Sequence, residues 1–172
     1  MKVQRQTILQ NSKLSAMYPN YDYFDSYKGE CISQRKITSI DLGRAFFSSS
    51  PVWVDKLFSL RNKIVSLFGL KTTSSNLDRT SLKEFDFQVG KQIGLFKVFA
   101  LTEKEIILGE DDKHLDFRVS LLVESKEEKQ FVNIMTSVKF KNIFGRLYFL
   151  PVKPFHQLIV PTMLKGILRK IE

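Results

Sequence analysis

Between Glu84 and Lys141 the chain alternates apolar and polar residues in short runs: FDFQVG, IGLFKVFA, EKEIILG, HLDFRVSLLVE and FVNIMTSVKF. A period of two is the pattern of a strand with one face buried and one exposed. In the last run Val132, Ile134, Val138 and Phe140 share one face, and Asn133, Ser137 and Lys139 share the other. The breaks VGKQ, LTEK, EDDK and SKEEKQ are hairpin-sized, too short for a crossover helix. The middle of the chain is therefore expected to be an antiparallel meander.

The flanks follow other periods. YDYFDSYKGEC, from Tyr21 to Cys31, reads as a first strand. Ser39 is placed to cap a helix, IDLGRAFFSS. Ser50 as N-cap and Pro51 at the first helical position open a second, PVWVDKLFSLRNKIVSLFG, which Gly69 stops. Polar residues 71–81 read as a loop. Near the C-terminus Phe155, Leu158, Ile159, Met163, Ile167 and Leu168 recur at helical spacing, with Pro154 near the helix start and Pro161 bending it. Strand, two helices, antiparallel strands and a long helix make an α+β class. That order resembles the helix-grip architecture of the START/Bet v 1-like (SRPBCC) superfamily. The resemblance implies a curved antiparallel sheet of six to seven strands around a long C-terminal helix. Two short helices follow the first strand, and the whole encloses an apolar cavity.

Composition narrows the class. A chain of 172 residues is most economically one domain, 1–172, with residues 1–20 as a polar lead. Hydrophobic residues make up 43% and include fifteen phenylalanines, enough for a core rich in aromatic surface. The single cysteine, Cys31, forms no intramolecular disulfide, and one Cys with two His is too few for a zinc site. The N-terminal residues lack the apolar centre of a secretory signal, and no run approaches a membrane span. A cytoplasmic protein without cofactor is expected. The net charge of +9 admits an anionic membrane or nucleic acid as partner, but the basic residues are spread along the chain, which argues against nucleic acid. The densest cluster, KGILRK, sits at a helix C-terminus, where the macrodipole favours cations. Oligomeric state is not legible.

Four blocks, PVWVDKLFSLRNKIVSLFGLK, IGLF, GEDDKHLDFRVS and GRLYFLPVKPFHQLIVPTML, resemble in content and order a bacterial family, the domain of unknown function 2867. The likeness runs from about Asp22 to Leu164. It implies no reaction. Members occur alone or behind a short-chain-dehydrogenase-like NAD(P)-binding domain, which implies an association with small-molecule redox metabolism. This chain contains no GxGxxG.

The densest polar stretch is GEDDKHLDFR. If HLDFRVS is a regular strand, His114, Asp116 and Arg118 share one face. Turned inward, His114 with Asp116 would serve as acid and base, and Arg118 would hold an oxyanion. Turned outward, the three are a solvated face. Asp111 and Asp112 read as turn residues. Arg61 interrupts the buried stripe of the second helix and asks for a partner such as Asp116. His156, Tyr23 and Tyr148 complete the candidates for ligand contact. No GxSxG, HExxH or Cys–His pair marks a nucleophile or metal site. The function expected is binding of an apolar or amphipathic small molecule between sheet and C-terminal helix. The alternatives are a cyclase, dehydratase or isomerase using His114, Asp116 and Arg118, and a basic adaptor for an anionic membrane or nucleic acid.

Overall fold

The computed structural model describes residues 2–7, 9–17, 19–33, 35–49 and 85–172. The expected second helix, with Arg61, and the loop at 71–81 lie outside the described residues. The elements in chain order are β1 (Val3–Arg5), α1 (Lys13–Met17), β2 (Tyr23–Cys31), α2 (Ser39–Ser48), β3 (Gln92–Ile93), β4 (Phe96–Leu101), β5 (Glu105–Asp111), β6 (Leu115–Lys126), β7 (Lys129–Phe140) and α3 (Ile143–Ile171). The strands form one open seven-stranded antiparallel sheet in the order β1-β2-β7-β6-β5-β4-β3. With the long C-terminal helix laid on one face, the protein is α+β and helix-grip-like.

Alternation gives the sheet two different faces. Tyr27, Ile106, Leu108, Val119, Leu121, Val123, Val132 and Ile134 point to the helix side, where they pack with Leu42 and Phe46 of α2 and with Met163, Leu164, Ile167 and Leu168 of α3. Gly29 permits that approach, because a Cβ there would meet Leu168 Cδ1 at 2.5 Å. On the back face Ile107, Leu122 and Met135 form a smaller cluster beneath Leu14 of α1, with Leu9, Phe24 and Phe99 around it.

The hydrophobic pattern assigns no element to the polar lead, yet β1 and α1 lie there. β1 adds to the sheet edge beside β2, and the seat of α1 is buried Glu105 on the back face. Its carboxylate accepts from Ser12 Oγ at 2.5 Å, from Ser120 Oγ at 2.5 Å and from the Lys13 amide at 2.8 Å. A carboxylate with three donors tolerates burial. An edge ladder, few apolar residues and one anchoring acid hold this segment, which is why periodicity does not reveal it.

Three further boundaries differ from the sequence pattern. The cap of α2 is Thr38, not Ser39: Thr38 Oγ1 accepts from the Asp41 amide and Asp41 Oδ2 accepts from the Thr38 amide, a reciprocal capping box. FDFQVG carries no strand; Phe87 packs instead against Phe47 and Gly43, with Phe85 edge-on beside it. Helix α3 starts at Ile143, well before Pro154, so Pro151, Pro154 and Pro161 all lie inside it. Each proline removes an amide donor, and the flanking turns hold because the buried side of the helix is fixed by packing.

Candidate functional site

The GEDDKHLDFR hairpin resolves into three separate settings. β5 continues through Asp111, and Asp112, Lys113 and His114 make the turn, so Asp111 is a strand residue rather than a turn residue. His114 precedes the strand and does not extend its face. Its Nδ1 lies 3.1 Å from Asn142 Oδ1, the same oxygen that accepts from Gly145 N to cap α3. An amide oxygen only accepts, so Nδ1 carries the proton. The His114 carbonyl accepts from Lys141 N at 2.9 Å. His114 thus fastens the hairpin to the start of α3.

Asp116 and Arg118 alternate with Phe117 and Val119 and therefore face away from α3. Asp116 pairs with Lys141 Nζ at 2.6 Å. Arg118 is 2% exposed, with its guanidinium 3.4 Å from the centroid of the Phe99 ring. It donates to the carbonyls of Glu110 at 3.0 Å and Phe117 at 2.8 Å, and to Asp111 Oδ1 at 2.5 Å. Two local features make the room. Phe99, next after helix-side Val98, points to the back face, where a bulge between Val98 and Ala100 leaves it unpaired in the ladder. Gly109 lets Arg118 lie flat, since a Cβ there would meet Phe117 O at 2.1 Å and Arg118 Cδ at 2.9 Å. These partners occupy the arginine as a structural stack. The three residues do not converge on one cavity.

The helix side carries a different polar cluster. Asp25 of β2 points toward α3 between Tyr23 and Tyr27, and is 1% exposed. Tyr23 Oη donates to Asp25 Oδ2 at 2.6 Å, and His156 Nε2 of α3 lies 3.3 Å from the same oxygen. Beside Asp25 across the ladder stands Thr136, also buried, whose hydroxyl has no hydrogen-bond partner among the described residues. The surroundings are aromatic: Phe149 lies 4.8 Å from the Tyr23 ring, and Tyr148 and Val152 pack on the same patch. The His156 side chain is 20% exposed, so the cluster is reached from outside along α3.

Burial pushes the Tyr23 phenol up, and the Asp25 carboxylate adds to this by its hydrogen bond and its charge. Burial and the Asp25 charge raise Tyr27 in the same way. Both phenols stay neutral, and Tyr23 is a donor to an acid with few other donors. If Nε2–H of His156 is directed at the carboxylate, Nδ1 is left as an acceptor.

Three of the residues singled out from sequence, Tyr23, His156 and Tyr148, meet on this patch, whereas Arg61 lies outside the described residues. Asp25 and Thr136 are not among those candidates. Asp25 could have been found, because in YFDSY it occupies the parity of the two flanking tyrosines. Thr136 carries no such signal, since threonine is common in strands.

No curated protein matches the chain. Among solved structures, that of TTHA0849 from Thermus thermophilus is similar at 11% identity and a TM-score of 0.39, covering 87% of this chain and 97% of that one. Residues 17–163 match the family described as "Protein of unknown function (DUF2867)". With most of its length matched, the chain belongs to the DUF2867 family.

Proposed function

We propose that the protein binds an apolar or amphipathic small molecule between the helix face of its sheet and α3, with the polar end of the ligand at Asp25, His156 and Tyr23. The observation that carries this reading is a buried carboxylate flanked by a buried hydroxyl without a partner among the described residues, set among aromatic rings and reached past His156. Apolar walls with a few convergent polar groups are the usual make-up of a ligand site. Unpaired buried hydroxyls cost free energy unless a bound molecule or water satisfies them. The helix-grip-like order of elements supports placing the chain in the START/Bet v 1-like superfamily, where such a cavity lies between sheet and helix.

Native mass spectrometry of the purified protein tests this directly. A co-purifying small molecule is expected, lost in the Asp25→Asn and His156→Ala variants while both remain folded. Retention of the molecule by both variants would refute this placement.

The His156–Asp25 pairing supports a second reading, acid–base catalysis of an isomerisation or dehydration on the same scaffold. The carboxylate would orient the imidazole, leaving Nδ1 to take a substrate proton. Incubation of the co-purified molecule with wild-type protein separates the two: unchanged ligand leaves binding as the function, whereas turnover abolished by His156→Ala establishes catalysis.

A further inference from the structure

The outer face of α3 has the make-up of a membrane-docking surface. Ile143, Phe144, Leu147, Leu150, Phe155 and Leu158 are 49–66% exposed. At 100° per residue they fall within an arc of about 140°, and Pro151 and Pro154, also exposed, lie in the same arc. The opposite side of the helix holds Phe149, Val160 and Met163 against the sheet, so the outer residues add nothing to the core. Six large apolar side chains on one exposed face amount to a contiguous patch, not scattered surface leucines.

Charge indicates what meets that patch. The 29 residues of α3 include Arg146, Lys153, Lys165, Arg169 and Lys170 and not one aspartate or glutamate. Lys165 and Arg169 are exposed and continue the apolar arc toward the C-terminus. Arg146 and Lys153 border it on one side. A second copy would bring a matching apolar face but the same basic residues, with no acidic group on this helix to pair with them. A lipid surface supplies an apolar layer beneath an anionic one, the order that this helix presents. Among the described residues no helix is long and apolar enough to cross a membrane, so the contact is lateral.

We infer that α3 docks the protein on anionic lipid bilayers, with Phe144, Leu147, Leu150 and Leu158 inserted at the headgroup boundary and Lys165 and Arg169 on the lipid phosphates. This inference stands on exposure and charge and is independent of the ligand reading.

Co-sedimentation with vesicles of phosphatidylcholine containing about one-third phosphatidylserine tests it. The protein is expected to pellet with these vesicles, less with pure phosphatidylcholine, and less as salt rises. Leu147→Glu and Leu158→Glu should each weaken binding by about tenfold or more, since each removes a buried leucine from the bilayer contact. Lys165→Glu with Arg169→Glu should weaken binding to the anionic vesicles only. All four positions are exposed, so folding, checked by circular dichroism, is retained. Vesicle binding unchanged by Leu147→Glu and Leu158→Glu would overturn the inference. So would absence of pelleting at low salt, self-association abolished by Leu147→Glu without vesicle binding, or binding to an oligonucleotide in preference to vesicles.

Discussion

His156 Nε2 lies 3.3 Å from Asp25 Oδ2, joining two residues 131 positions apart in the chain. One comes from the second strand and the other from the middle of the last helix, so the pair forms only when α3 has settled on the sheet. Tyr23 joins it from the same strand, two residues from Asp25. The candidate site is therefore a product of the sheet–helix contact.

If Asp25 helps hold the Tyr23 phenol neutral, Asp25→Asn should let one tyrosine ionise at lower pH. Burial, the larger cause, remains, so the shift is partial. Phenolate absorbance followed through an alkaline titration, wild type against variant, measures it. Superimposable curves would count against the hydrogen bond. The same two phenols set an alkaline limit. Their folded pKa values lie above the unfolded value of about 10, so their contribution is complete below pH ~10 and is lost as pH rises further. Denaturant midpoints should fall above that pH, and less so in Tyr27→Phe.

Glu127 takes φ = 56° in the two-residue turn that joins β6 to β7. A positive φ at the first central position favours glycine there. Glu127→Gly is expected to stabilise the protein by about 0.5–1 kcal/mol, the strain relieved exceeding the added chain entropy. Thermal unfolding decides it, a lowered melting temperature being the contrary result.

Two glycines of α3 differ in what a methyl group would meet. At Gly145 the Cβ would lie 2.2 Å from the His114 carbonyl oxygen, a backbone atom tied to Lys141 N. At Gly166 the nearest atom is Ser49 Cβ at 3.0 Å. Gly145→Ala should cost about 1–3 kcal/mol, and more than Gly166→Ala. Equal losses in chemical denaturation would contradict the close approach of α3 to the hairpin.

Cys31 is 4% exposed, and burial pushes its thiol up to about 11. Both factors suppress the thiolate. Alkylation by iodoacetamide at neutral pH should be slow in the native protein and fast in denaturant. Rapid native labelling would mean that the end of β2 opens easily.

The sheet was legible because its strands alternate over part of their length and are joined by short polar turns; β6 and β7 are twelve residues each, and their alternation breaks where Leu122 and Met135 bury the back face as well. Helix α3 was legible in its second half, where Met163, Ile167 and Leu168 bury one stripe. Its first half was obscured by two prolines, Pro151 and Pro154, and by apolar residues on the outer face, which blur a 3.6 period. The hairpin misled for a physical reason: three polar residues at alternate positions look alike whether they meet water, line a cavity or serve as struts. Arg118 is a strut, buried on Phe99, and no local pattern distinguishes that case. Tyr23 and His156 were visible as individuals, but their shared carboxylate required the register Asp25↔Thr136 and the seating of α3.

The seating of Leu14 over Ile107, Leu122 and Met135 has a practical consequence. The family match begins at residue 17 and ends at residue 163, yet Leu14 lies before it and Leu164, Ile167, Leu168 and Ile171, all in the main core, lie after it. A chain trimmed to the matched segment would bare the back of its sheet and lose the last two turns of its grip. The packed core extends past both ends of the segment that is recognisably shared.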